Sequence, residues 1–188
     1  MMKWIRDKHK DQKGITLVEL LVVIPLIAII GAGASAVTVR ILKSQDLSCH
    51  TLATREVQLA GDWISQDFIS SSCSGITIDN MTAASGFIST ERDQYWTDTS
   101  GDYHTRTTQI TYTLVSSGGM WDLERHMVSV TDGTTTDTTI VVAEHLDASQ
   151  MSCSWDDEQQ TSFTFVAAAT VGSRTESREY GIQPRVAG

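Results

Sequence analysis

Ile15-Thr16-Leu17-Val18-Glu19-Leu20-Leu21-Val22-Val23-Ile24-Pro25-Leu26-Ile27-Ala28-Ile29-Ile30 opens the stretch on which the rest of the chain turns. From Leu20 to Val39 there is no formal charge. Twenty residues of helix rise about 30 Å, the hydrocarbon thickness of a bilayer. Ahead of this stretch, residues 1–14 carry Lys3, Arg6, Lys8, Lys10 and Lys13 against Asp7 and Asp11, net +3. Behind it the chain is acidic, with net −12 over residues 15–188 and Lys43 as the only lysine. The positive-inside rule then keeps residues 1–14 cytoplasmic and exports the body. An acidic body argues against nucleic acid or an anionic membrane surface as the main partner. With 40% apolar residues, the chain has enough to build a core.

Three readings of the apolar stretch compete. It suits an ordinary membrane anchor. Ala34-Ser35-Ala36 also fits a signal-peptide cleavage rule, although the apolar run exceeds the usual h-region of about 7–15 residues. Both leave Glu19 unexplained. A carboxylate at the centre of a spanning helix costs about 2.5–3.5 kcal/mol on insertion scales, less near its edge, so Glu19 needs a partner.

The third reading comes from Lys13-Gly14-Ile15-Thr16-Leu17-Val18-Glu19-Leu20-Leu21. This segment resembles the processing motif of type IV prepilins and type II secretion pseudopilins. The resemblance implies cleavage by prepilin peptidase between Gly14 and Ile15 and methylation of the new N-terminus. It implies that Glu19 neutralises the free amine of a neighbouring subunit in a fibre. It also implies as partners other pilin or pseudopilin subunits, an inner-membrane assembly platform and membrane lipid. Ile15 stands where the family usually has phenylalanine, and Pro25 comes earlier than the proline common in major pilins. Pro25 removes a backbone donor and predicts a kink. Spanning helices tolerate proline and glycine in any case. The sharper expectation is that residues 21–33, with Gly31 and Gly33, unwind when packed in a fibre.

Beyond the span, apolar residues recur at Cys49, Ala53, Val57, Ala60, Ile64 and Phe68, widened by Leu52 and Trp63, while Arg55, Glu56, Asp62 and Asp67 lie off that stripe. The pattern predicts one helix from about Ile15 to about Ile69, ended by Ser70-Ser71-Ser72 and Gly75. A helix of that length after such a processing site agrees with how pilins are built.

After residue 75 the texture changes to short strand-like runs and frequent turns. Strands are expected at 75–79, 86–90, 109–116, 120–130, 138–146, 152–155, 162–169 and 179–186. Gly118-Gly119, Asp132-Gly133 and Gly172-Ser173 mark turns. The Thr-rich stretch 131–139 reads as a hairpin loop, and Pro184 argues for an edge or terminal position. The expected fold is α+β: a long N-terminal helix, first half transmembrane and second half amphipathic, on an antiparallel meander. The expected organisation is a leader at 1–14, a transmembrane assembly half at 15–43 and an exported globular domain at 44–188. Within the last, Ile110-Thr111-Tyr112-Thr113-Leu114, Leu123-Glu124-Arg125, Val141-Val142-Ala143-Glu144-His145-Leu146 and Pro184-Arg185-Val186 resemble, in order, J-type minor pseudopilins and W-type minor pilins. A divergent major pilin is the competing subtype.

Candidate chemistry is sparse. Cys49, Cys73 and Cys153 lack C-x-x-C spacing, so zinc is not expected. In an exported domain a Cys73–Cys153 disulfide is plausible, with Cys49 packing as a small apolar group. His50, His104, His126 and His145 stand in no H-E-x-x-H motif, and no G-x-S-x-G is present. Asp98-Thr99-Ser100-Gly101-Asp102 offers oxygens for calcium but reads more simply as a turn. Asn80-Met81-Thr82 matches a glycosylation sequon. Trp121 alternates with Leu123 and should face the core; Trp96, beside Tyr95 and near Tyr103, is the best candidate for an exposed contact. No enzyme activity, cofactor, metal or direct nucleic-acid binding is expected. The functions left in competition are a fibre subunit of a pilus, secretion or DNA-uptake system, and a membrane-anchored or secreted binding module or hydrolase with a chance prepilin-like N-terminus.

Overall fold

The structure is a computed structural model that describes residues 16–72, 75–81 and 86–185. Helix α1 spans Leu17–Ile69 without interruption, with Pro25 inside it. Eight strands follow: β1 Ile76–Ile78, β2 Ile88–Thr97, β3 Tyr103–Ser117, β4 Met120–Thr131, β5 Thr134–Leu146, β6 Ser152–Trp155, β7 Phe163–Val171 and β8 Arg174–Ile182. All pair antiparallel in one curled sheet. The fold is α+β and pilin-like. By contacts the chain divides into a first unit, residues 1–45, and a second, residues 46–188.

The first unit is helical over its described part, and every residue from Thr16 to Gln45 is exposed. Its apolar side chains are therefore left uncovered by the described residues, Leu17, Val18, Ile29 and Ile30 among them. Each is worth about 1.5–3 kcal/mol once taken out of water, so this surface requires lipid or other helices.

In the second unit the stripe Ala53, Val57, Ala60, Ile64 and Phe68 is wholly buried. It meets the inner face of the sheet: Ile88, Ile110, Tyr112, Leu123, Phe163, Phe165 and Ile182. Phe68 closes on the Phe163 ring edge-on at 5.7 Å. The pattern misses two buried acids. Glu56 and Asp67 are each only 7% exposed, because both have partners on the sheet. The Glu144 amide donates to Glu56 Oε2 at 2.8 Å. Asp67 accepts from Tyr112 Oη at 2.6 Å and from Arg125 Nε and Nη2 at 2.6 and 3.1 Å.

The sheet departs from a plain meander. β1 to β5 follow in order, but β5 then meets β7 at a single pairing, Leu146 with Ala169, while β6 and β8 both pair with β7. The 131–139 stretch is not a loop. The chain turns at Asp132-Gly133 and re-enters the ladder at Thr134, pairing Thr135 with Val130 and Asp137 with Val128. Its threonines are β-branched and suit an exposed strand. β2 and β3 likewise run farther than apolar alternation shows, because residues 91–97 are polar or aromatic; 91–94 pair where β3 is also paired with β4, and 95–97 continue as a two-stranded ribbon with 103–105.

Gly61, inside α1, has a contact reason. A Cβ there meets the Tyr180 ring of β8 at 2.0–2.3 Å. The ring is held in place: its hydroxyl donates to the Val57 carbonyl at 3.1 Å. Gly61→Ala should destabilise the second unit by about 1–3 kcal/mol, as overpacked sites do. Adding Tyr180→Val should recover part of that loss in chemical denaturation. Equal stability of Gly61→Ala and the parent would refute the contact.

Candidate processing and assembly site

The start of α1 is built by two residues. Thr16 precedes the first helical turn and its carbonyl accepts the first helical bond, from Leu20 N at 3.1 Å. Its hydroxyl accepts from the Glu19 amide at 3.2 Å and donates to Glu19 Oε2 at 3.0 Å. Glu19 Oε2 in turn accepts from the Thr16 amide at 2.9 Å. This is a reciprocal capping box, in which side chains satisfy backbone donors that the helix leaves free. The Thr16-x-x-Glu19 spacing ahead of an apolar run signals it in the sequence. A single carboxylate thus caps the helix, complements its positive end and is the fifth residue after the expected cut. Gly14 and Ile15 themselves lie outside the described residues.

Pro25 leaves the helix continuous, with no break in residues 21–33. Ser35 and Thr38 return side-chain hydrogen bonds to the carbonyls of Gly31 and Ala34 at 2.9 and 3.0 Å, occupying polar groups that lipid does not solvate. The helix is long and apolar enough to cross a membrane.

The Cys73–Cys153 bridge entertained from sequence is not formed: Cys153 is a free thiol, and Cys73 lies outside the described residues. Cys153 is half-buried on β6, and that burial pushes its pKa up to about 12. Such a thiol is inert at neutral pH. Cys49 is also free and half-buried, near Gly172. The Asp98 turn does not present its carboxylate to an ion. Asp98 Oδ1 accepts from the Ser100 and Asp102 amides at 2.8 and 2.9 Å, which closes the turn. Among the described residues no group of three His, Cys, Asp or Glu is placed to hold a metal.

His50, His104 and His126 join elements, whereas the buried Nδ1 of His145 has no hydrogen-bond partner among the described residues. His50 on α1 meets Glu176 on β8, and His126 on β4 meets Asp137 on β5, both at 2.7 Å. His104 on β3 lies 2.6 Å from Asp132 and 3.5 Å from Asp98, tying the β2–β3 and β4–β5 turns. Asp132 first, then Asp98, raises the His104 pKa. The stabilisation from a raised histidine is fully present below the ordinary value near 6.5 and fades as pH rises through the folded value. The imidazole should therefore titrate above its ordinary value by NMR, and Asp132→Asn should lower that midpoint. Indifference to the substitution would exclude the pairing.

Comparison with protein families matches the chain to the Prokaryotic N-terminal methylation motif over residues 9–35. The match takes in the end of the basic leader, the capping box and Pro25. The chain thus carries a prepilin-type N-terminal methylation motif, the kind found in type IV pilins and pseudopilins. It goes no further: the J-type and W-type likeness gains no support. No curated protein and no solved structure matches the chain.

Proposed function

We propose that this chain is a structural subunit of a type IV pilus-like or type II secretion-like fibre. It inserts with residues 1–14 in the cytoplasm, is cut by prepilin peptidase after Gly14, is methylated at Ile15 and packs into the fibre through α1. A minor, low-copy role fits within this reading. One observation carries it: the methylation motif at 9–35 runs directly into a helix whose apolar residues are all exposed from Leu17 to Leu42. A leader followed by such a helix needs lipid first and other helices afterwards. Glu19 serves both settings. In the isolated chain its carboxylate is held by Thr16; beside a neighbour's N-terminal amine it gains an ion pair in apolar surroundings, where charge-assisted bonds are strong. The reading asks no catalysis of the β-rich unit.

The test is the mature N-terminus, read by intact and peptide mass spectrometry of protein from its native membrane. N-methylated Ile15 is the expected result. A start at Val37 would mean a secreted protein and would remove both the fibre and the Glu19 role. A chain still beginning at Met1 or Met2 would leave only a membrane anchor.

A further inference from the structure

The β2–β3 ribbon carries aromatic rings that no described element covers. Tyr95 and Tyr103 are 61% and 68% exposed, and their rings stack 6.1 Å apart at 20° on the sheet face turned away from α1. Pairing of Thr97 with Tyr103 and of Asp93 with Thr107 puts Glu91 and Asp93 on that same face, in file with Tyr95. The platform is stiff, because Asp98 closes the turn beyond it and Thr107 Oγ1 donates to Asp93 at 2.6 Å. Tyrosine faces flanked by carboxylates are the chemistry of a cation site: the ring quadrupole attracts the charge, and the carboxylates complete its coordination.

The chain itself holds an unclaimed pair of cations. In the second unit Arg125 is committed to Asp67, Arg174 to Asp46, Arg92 to Ser70 and Arg106 to Thr131, Arg178 lies beside Tyr180, Arg185 is partnered, and Arg55 is exposed on α1 with no second cation within a helical turn of it. Arg40 and Lys43 are exposed and make no hydrogen bond or ion pair with any described residue. Three residues apart on α1, they share a face with Cβ atoms about 5–6 Å apart. Alternate residues along β2, such as Glu91 and Asp93, are about 6.6 Å apart, so the two ladders match in spacing and oppose in sign.

We propose that the Tyr95–Tyr103 platform with Glu91 and Asp93 docks Arg40 and Lys43 of a second copy of this chain. The inference rests on the fibre reading, since a contact between unlike patches propagates an open filament rather than closing a dimer.

The experiment uses the full chain in its native envelope, with photoreactive p-benzoylphenylalanine in place of Tyr103. Sheared fibres are irradiated and the adduct is mapped by mass spectrometry. The expected adduct joins residue 103 to the 40–43 region of a second copy. Arg40→Glu with Lys43→Glu should cut its yield about tenfold, because like charges then face each other across the contact. Adding Glu91→Lys and Asp93→Lys should restore it. An adduct on a glycan, on another protein or elsewhere in the chain overturns the proposal, as does a yield that ignores the reversals. A chain absent from fibres fails both readings; a chain present there without this adduct fails this one alone.

Discussion

Asp67→Ala should cost the second unit about 3–5 kcal/mol, the loss typical when one partner of a buried ion pair is removed. The Asp67 carboxylate stands where α1 meets the sheet. It holds Arg125 through two nitrogens and Tyr112 through its hydroxyl. Arg125 is 8% exposed, and its guanidinium lies 5.4 Å from the centre of the Trp63 ring. Once Asp67 is gone, water cannot easily reach the cation to replace the lost charge. The Tyr112 hydroxyl is orphaned in the same step, and an unsatisfied buried donor costs about 1–3 kcal/mol. Tryptophan fluorescence, to which Trp63 contributes, reads the change during chemical unfolding of the detergent-solubilised chain. The triple variant Asp67→Leu, Arg125→Met, Tyr112→Phe separates pairing from packing. It removes every polar partner together and should recover most of the stability, as apolar replacement of buried ion pairs often does. A loss under about 1 kcal/mol for Asp67→Ala would mean that Arg125 finds water or another acceptor, and the buried pair would not be what fixes the helix to the sheet.

That pair also marks how far the residues could be read in advance. The helical stripe from Ala53 to Phe68 was legible because burial repeats every three or four positions, and all five of its members are buried. Asp67 was not legible. An acid between Gln66 and Phe68 looks like solvent-facing surface until its partners, 45 and 58 residues away in sequence, are known. Gly61 is hidden for the same reason, since the ring it admits belongs to the last strand. In the sheet, strands with a buried face were found and their ends were not. Residues 91–97 and 134–139 have no aliphatic face to alternate, so ladder hydrogen bonds and, in the first, ring stacking hold them rather than a buried face. The processing motif was legible because it is local. Gly14, Ile15 and Glu19 fall within six residues, and the motif match spans all three. The role of Thr16 was written in the same segment, as the three-residue spacing to Glu19, but is passed over when the carboxylate is read only as a charge in lipid.

Glu19→Ala should leave membrane insertion and cleavage intact while depleting the chain from fibres about tenfold or more, equivalent to at least about 1.4 kcal/mol of lost association. Insertion should survive because deleting a charge from an apolar helix makes lipid a better solvent for it. Two losses are combined in that variant. The capping box goes, which typically costs about 0.5–2 kcal/mol of helix stability, and so does the negative charge. Glu19→Gln divides them: glutamine at this position still completes a capping box but offers no charge to a neighbour's amine. Thr16→Ala is the converse, removing the hydroxyl and keeping the carboxylate. If the charge drives assembly, Glu19→Gln should be depleted as strongly as Glu19→Ala, and Thr16→Ala should be nearly normal. If helix capping is what matters, Glu19→Gln should assemble and Thr16→Ala should fail. Immunoblots of membrane and sheared-fibre fractions, with alkaline extraction as the insertion control, distinguish the two patterns. Normal incorporation of Glu19→Ala would refute any part for this carboxylate in the fibre. In the isolated chain the carboxylate already has two hydrogen bonds from Thr16, at 2.9 and 3.0 Å. An incoming amine must therefore compete with bonds already made. Only an ionic partner, and not a second neutral donor, offers enough to displace them in lipid.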